Sequence, residues 1–506
     1  MTARRSTRIL SLIALAGLLG PACGSRLPLT ELAAPYAGHD VSPGPAAATG
    51  GPSQATATAP LANTEINGSA PAPVDAAVSP ATSGKATVAG AAAGTANPRA
   101  GAPAGSRPES RAASARPQAG GPTSGSAGAA PPGVAPPASV SNTPILIGTV
   151  GVDSGIVGAA LRPGVPALRS WAASVNAAGG LKGHPVKVIS ADDGNDPARH
   201  RQLVQQMVEK DKVVAFVYNH APLSGQSSVD YLTAKRVPVV GDNGGAQWYY
   251  ESPMFFPQFT VGTPYIKAII AGAAPETAAQ GKKKLAILVC QEAQFCLDAD
   301  RIFPQEAPRH GFSLVYRAQS SLTQPDFTAE CLGARNAGAD VFAVVADGNT
   351  ASRVAGACER VGYRPTFLLG HHSALLLSHA TQKPLDGMIT VLPLRPWFDA
   401  TNPSVAAYQQ GIKTYAPGEV PSNPGFTGWV AGMLFGAAAN ASPDPTTSAG
   451  ILEGLWALKG ETLGGATHPL TFRRDQNAPQ TICWFAIRIA NGNFESTSAG
   501  RELRCE

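Results

Sequence analysis

Six short polar segments carry the side chains best suited to holding a small molecule: Asp153-Ser-Gly155, Asn219 to Ser224, Gly241 to Gly245, Gln291 to Phe295, Asp347-Gly-Asn349 and Gly370 to Ser373. Their carboxylates, amides, hydroxyls and imidazoles offer hydrogen bonds and charge, and the candidate ligand-binding set is Asp153, Ser154, Asn219, His220, Ser224, Asp242, Asn243, Phe295, Asp347, His371 and His372. Each segment follows a predicted strand and opens a helix, whose free N–H groups suit an anion such as a carboxylate. For any single residue the alternative is a simple helix cap. Six such loops together point to a ligand, because loops without one need neither an aromatic ring nor a histidine.

Spacings that would support catalysis are missing. There is no G-x-S-x-G elbow, no Walker A loop, no G-x-G-x-x-G after a strand, no H-E-x-x-H and no C-x-x-C. His371, His372 and His379 invite a metal reading, but adjacent histidines diverge and no carboxylate or cysteine stands at ligand spacing. No metal, cofactor or enzymatic activity is therefore expected. With 14% charged residues and a net charge of +5, the chain has no basic face for nucleic acid.

The loops are placed by alternating strands and helices. Strands are predicted near Pro144–Val150, Pro185–Ala191, Val213–Val217 and Val237–Val240, with helices near Pro197–Lys210 and Gly225–Ala234 between them. After a crossing segment, Phe255 to Val261, a second set of strands lies near Leu285–Cys290, Ser313–Arg317, Val341–Val345, Thr366–Leu369 and Met388–Leu392. Helices near Leu297–Glu306, Phe327–Ala337, Ala351–Val361 and Ala374–Ala380 connect them. This alternation argues for βαβ units and two parallel sheets. Three helical stretches follow (Pro403–Tyr415, Gly425–Asn440, Thr446–Leu458), then a closing β-pair near Leu470–Phe472 and Ile482–Ile489.

The first 22 residues read as a signal peptide: arginines, the apolar run Ile9 to Leu19, then small residues before Cys23. The run is too short to span a bilayer. Cys23 resembles a lipobox cysteine, although Gly20 stands where such a box usually has leucine; the alternative is ordinary secretion with a spare thiol. Residues 23–142 are rich in Ala, Gly, Pro, Ser and Thr and bury too little apolar surface to fold, so they read as a disordered tether. About 120 such residues reach roughly 60 Å.

Six further cysteines in an exported chain suggest disulfides. Cys331 and Cys358 fall on consecutive helices that a right-handed crossover sets side by side. Cys290 ends a strand and Cys296 opens the next helix, which leaves Cys483 with Cys505. Buried free thiols are the alternative.

From about Thr143 to the C-terminus the chain resembles the leucine/isoleucine/valine-binding family of periplasmic solute receptors, with the type I periplasmic binding fold. The resemblance is carried by Ile147-Gly-Thr-Val-Gly-Val-Asp-Ser-Gly155, Asn176-Ala-Ala-Gly-Gly-Leu-Lys-Gly-His-Pro-Val186, Asp192-Asp-Gly-Asn-Asp-Pro197, Gly362-Tyr363 and Leu470-Thr-Phe472. It implies an α/β fold of two Rossmann-like lobes with parallel central sheets, joined by three crossing segments near Phe259–Thr263, Leu392–Arg395 and Ala478–Ile482. The expected division is 143–260 with 394–479 for lobe 1, and 261–393 with 480–506 for lobe 2.

By the same resemblance, the groups that hold an amino-acid carboxylate fall on Pro222, Ser224, Asn243 and Gly245, and an aromatic over the ligand falls on Phe295. The family's ammonium-pairing glutamate falls on His371 or His372 and a tyrosine on Asp347, which offers a replacement negative charge. The implied function is an extracytoplasmic solute-binding lipoprotein of an ABC importer, a monomer anchored to the membrane through lipid and handing its ligand to a permease. Its ligand is expected to be an amino acid or another small polar or aromatic solute. The alternative is a ligand sensor or envelope-interaction protein without a permease.

Overall fold

A computed structural model of the protein describes residues 143–242, 247–370, 375–498 and 500–506. The signal peptide, the tether with Cys23, and the candidate site residues Asn243, His371 and His372 lie outside the described residues.

In chain order the elements begin with β1 (Ile145–Gly151), α1 (Gly155–Leu161), α2 (Gly164–Ala177), β2 (Val186–Asp192), α3 (Pro197–Glu209), β3 (Ala215–Asn219), α4 (Val229–Lys235), β4 (Val239–Asp242) and β5 (Phe255–Phe256). Next come α5 (Gly262–Ala278), β6 (Lys284–Cys290), α6 (Gln294–Glu306), β7 (Ser313–Ser320), α7 (Thr328–Asn336), β8 (Val341–Val345), α8 (Gly348–Arg360), β9 (Thr366–Leu369), α9 (Leu377–Ala380) and β10 (Ile389–Leu392). The chain ends with α10 (Pro403–Tyr415), α11 (Asn423–Ala441), α12 (Ser448–Ala457), β11 (Lys459–Glu461), β12 (Leu470–Thr471), β13 (Cys483–Ala490), β14 (Asn493–Ser496) and β15 (Arg504–Cys505).

Two sheets organise these elements. The first is fully parallel in the order β2-β1-β3-β4-β5. The second runs β14-β13-β10-β9-β8-β6-β7, parallel from β10 to β7, with β13 and β14 antiparallel at its far edge. Continuous apolar runs such as Leu285–Cys290 and Val341–Val345 are buried throughout, as strands covered on both faces require. Helix starts are specified locally. Asp196 accepts hydrogen bonds from the N–H groups of Ala198 and Arg199 ahead of Pro197, and Asn402 caps α10 in the same way ahead of Pro403.

After the second sheet the chain returns to the first, where α11 packs on α2, β3 and β4, and α10 packs on α2. The approach of α11 to α2 depends on glycine, since a Cβ at Gly428 would stand 2.2 Å from the carbonyl oxygen of Gly164. Gly428→Ala is expected to cost about 1–3 kcal/mol by overpacking, read as a lower urea midpoint, whereas exposed Gly418→Ala, with open space around it, leaves the midpoint unchanged.

Three passages connect the sheets and meet around His468. Thr467 Oγ1 donates to Gln258 O at 2.6 Å, Arg395 N donates to Ala466 O at 2.8 Å, and His468 Nε2 lies 3.0 Å from Thr481 Oγ1. Burial pushes the His468 imidazole down to about 4 from its ordinary 6.5. The folded state thus binds this proton less readily than the unfolded chain, and the stability it contributes is present above pH 6.5 and lost as pH falls toward 4. His468→Asn should flatten the fall in melting temperature across that window, and an unchanged slope would contradict this origin.

Disulfides join Cys290 to Cys296, Cys331 to Cys358 and Cys483 to Cys505. The first closes the loop after β6, the second ties α7 to α8, and the third fastens β15 beside the start of β13.

Several elements differ from the sequence expectation. Leu470–Thr471 does not pair with the strand at Cys483: it pairs with β11, while β13 joins the second sheet beside β10. Phe255–Phe256 is a fifth strand of the first sheet as well as the start of the crossing. The helix expected over Gly225–Ala234 is a 3-10 turn, Gly225–Ser228, followed by α4. Helix α5, strand β14 and strand β15 were not anticipated. In α5 most positions from Pro264 to Ala273 are buried and apolar or small, and the partly exposed face of Thr263, Lys267 and Ala274 carries a single charge, so the periodic signature is weak.

Candidate functional site

In a parallel sheet, strand order decides where a crevice opens. From β1 the chain moves to β2 on one side and then to β3 on the other; from β6 it moves to β7 and then to β8 on the opposite side. Each reversal splays the loops at the carboxyl ends and leaves a crevice there. The first lies between the loops after β1 and β3, which hold Asp153 and Ser154, Asn219 and His220. The second lies between the loops after β6 and β8, which hold Gln291 to Phe295 and Asp347.

Helix α11 brings the carboxyl edges of the two sheets together. A Cβ at Gly241, near the end of β4, would lie 2.4 Å from Ala431 Cβ, so the first turns of α11 extend beyond the carboxyl edge of the first sheet. There Asn423 N donates to Leu375 O, on the segment that follows β9 of the second sheet, at 3.3 Å.

On the first-sheet side, the Asp153 side chain is partly exposed and Ser154 is exposed. Asp192 Oδ1 accepts from Asp153 N at 2.9 Å and Gly194 N at 3.0 Å. Burial raises the Asp192 pKa, but these bonds and the Ser154 hydroxyl outweigh it and hold the carboxylate below its ordinary range. Asn219 ends β3 opposite Asp242 of β4. His220 and Ser224 are both turned into the protein. The His220 ring is fully buried, and the Ser224 hydroxyl donates to Asp193 Oδ2 at 2.7 Å.

Asp193 is the centre of a buried network that sequence reasoning did not single out. Its Oδ2 also meets His200 Nδ1 at 2.8 Å, and its Oδ1 accepts from Asn195 N at 2.8 Å. Burial raises its pKa, and the bonds from His200, Ser224 and Asn195 more than reverse that, so it stays ionised below the usual carboxylate range. The available signal was the Asp192-Asp193 pair within the resemblance block.

On the second-sheet side, Gln291, Glu292 and Gln294 are exposed on the disulfide-closed loop. Phe295 is buried and stacks on Tyr265 with centroids 5.9 Å apart, so it supports the loop from behind. Asp347 caps α8: Oδ1 accepts from Asn349 N at 2.9 Å and Thr350 N at 3.2 Å, and Oδ2 from Thr350 Oγ1 at 2.6 Å. The expected free negative charge is thus engaged by the helix start. His379 is buried, with Nδ1 accepting from Leu376 N at 3.1 Å and Nε2 lying 3.0 Å from Asn349 Oδ1. Burial lowers its pKa against the opposing charge of Asp347. Among the described residues no group of three or more His, Cys, Asp or Glu side chains is placed to hold a metal ion.

Residues 144–493 match the family model described as "Periplasmic binding protein". The chain belongs to the periplasmic binding protein family. No curated protein matches it significantly. This periplasmic binding protein shares its fold with solved structures. One is a possible leucine/isoleucine/valine-binding protein from Rhodopirellula baltica, 17% identical with TM-score 0.62 over 72% of this chain and 98% of that one. Another is the branched-chain amino acid transporter substrate-binding protein LivJ from Streptococcus pneumoniae in complex with isoleucine, 16% identical with TM-score 0.59 over 72% and 100%. A third is an ABC-transporter solute-binding protein from R. palustris in complex with benzoate, 15% identical with TM-score 0.56 over 70% and 95%. Among the described residues of this periplasmic binding protein, no helix is long and apolar enough to cross a membrane.

Proposed function

We propose that this periplasmic binding protein is the extracytoplasmic receptor of an ABC importer, which captures a small amino acid or a related polar or aromatic solute and delivers it to a membrane permease without chemical change. The observation that carries this reading is the pair of strand-order reversals, each with polar loops at its carboxyl end, in two sheets that meet where Asn423 N donates to Leu375 O. Residues 143–260 with 394–479, and 261–393 with 480–506, act as the two closing lobes. Cys23 carries the lipid anchor, residues 23–142 hold the receptor away from the membrane, and the receptor works as a monomer.

Asp153, Ser154, Asn219, Asp242 and Asn243 meet the ligand from one lobe, and His371 and His372 from the other. His220, Ser224, Phe295 and Asp347 support those loops from within, given their burial or their engaged polar atoms. Isoleucine and benzoate, held by two proteins of the same fold, each join a carboxylate to an apolar body. That chemistry supports a ligand of the same kind here.

Thermal unfolding against amino acids, amides and aromatic acids tests the reading. A ligand at 100 times its Kd adds about 2.7 kcal/mol of stability. A panel in which no member raises the melting temperature would count against solute capture. Crosslinking in membranes under saturating ligand that recovers no permease would instead favour a sensor.

A further inference from the structure

We infer that His220 acts as a buried imidazolium that positions the loop from Asp153 to Gly155 at the lip of the cleft. This rests on the cleft assignment above and gives His220 a positioning role in place of ligand contact.

The geometry around the ring is one-sided. Nε2 lies 3.2 Å from Asp153 Oδ1, and Nδ1 lies 3.2 Å from the carbonyl oxygen of Tyr218. Both neighbours are acceptors only. Nδ1 is also 3.4 Å from Thr149 Oγ1, but that hydroxyl gives its proton to the same Tyr218 carbonyl at the shorter distance of 2.9 Å. A neutral imidazole has a single N–H and leaves one of these contacts without a proton; the imidazolium serves both. His379 shows the contrary pattern, since its Nδ1 faces an N–H donor and a neutral ring satisfies both sides.

The surroundings are built for this ring. It stacks on Tyr218 with centroids 5.1 Å apart, and a Cβ at Gly151 would stand 2.6 Å from it. Tyr218 has φ of 60°, a left-handed conformation unusual for a bulky strand residue, and its carbonyl meets side-chain donors at that turn. The His220 carbonyl also accepts from Val152 N at 3.2 Å, so backbone and ring both tie β3 to the end of β1.

The ionisable groups nearest the ring are carboxylates, with one further imidazole, His200 of α3, engaged with Asp193 on the far side of Thr149 and Tyr218. Asp153 pairs with it directly, Asp192 takes the Asp153 N–H, Asp193 N donates to Gly151 O, and Asp242 stands opposite Asn219 on β4. Helices α1 and α11 contain no ionisable residue, and Arg169 of α2 is bonded to Ser190. Loss of the His220 proton removes one of the two bonds, and with it the restraint between Asp153 and the strand beneath.

The test uses the whole mature chain. Nitrogen-15 NMR of the ring at about pH 5.5 should show two N–H groups on His220 and one on His379. Raising the pH to about 8 should speed hydrogen exchange in residues 152–161, after correction for intrinsic rates, by about tenfold, the factor for loss of one charge-assisted bond. In His220→Gln, which keeps one neutral donor, that pH step should vanish while the protein remains folded. A singly protonated His220 at about pH 5.5, or the same pH step in His220→Gln, overturns the inference. Neither readout needs a ligand, so failure of the receptor reading is seen separately in the solute panel.

Discussion

Replacing Asp193 with alanine lowers the stability of the folded body by about 3–5 kcal/mol, the usual cost of removing one partner from a buried charged network. Asp193 is fully buried and receives His200 Nδ1, the Ser224 hydroxyl and Asn195 N. Alanine leaves the buried His200 ring and Ser224 hydroxyl without this acceptor, and unmet buried donors are expensive. Asp193→Asn keeps an acceptor in place and should cost roughly half as much. The pH dependence gives an independent check. Because the folded pKa lies below the unfolded 3.8, the contribution of Asp193 is complete above that value and is lost as pH falls through the folded pKa. Urea midpoints of wild type and Asp193→Asn should therefore separate at neutral pH and draw together in acid below pH 3.8. A constant separation would show that the carboxylate is not the source.

Removing the Cys331–Cys358 bridge, as Cys331→Ala with Cys358→Ala, costs about 3–4 kcal/mol on the loop-closure model, for a sequence separation of 27. Both residues are fully buried, between α7 and α8 on one side of the second sheet. The bridge between Cys290 and Cys296 spans only 6 positions and should contribute less to global stability. Urea unfolding of the two double-alanine variants compares them directly. Equal midpoints would mean that loop length does not control the difference.

Alternation of apolar strand runs with capped helices made the two-sheet architecture readable, because β6 from Leu285 onward and all of β8 are apolar and α3 and α10 begin with Asx-Pro caps. What escaped lacked a local signature. β5 is two residues long, α5 carries a single charge on the partly exposed face of Thr263, Lys267 and Ala274, and the partner of β13 is β10, about 90 residues earlier and unconnected to it by any turn signal. The loops of the site were readable from strand ends, but the direction of each side chain was not. Ser224 points inward because Asp193, 31 positions away, accepts its proton. Asp347 turns to its own helix start, the capping alternative open to any Asp in that position.

The central claim is that one solute is held between the carboxyl ends of both sheets. Hydrogen exchange of the mature chain with and without isoleucine, benzoate, or whichever panel member raises the melting temperature tests it most directly. The account predicts simultaneous protection of segments 151–161 and 219–225 from the first sheet and 290–296 and 346–350 from the second. Protection confined to one sheet, or found away from these strand ends, would contradict it.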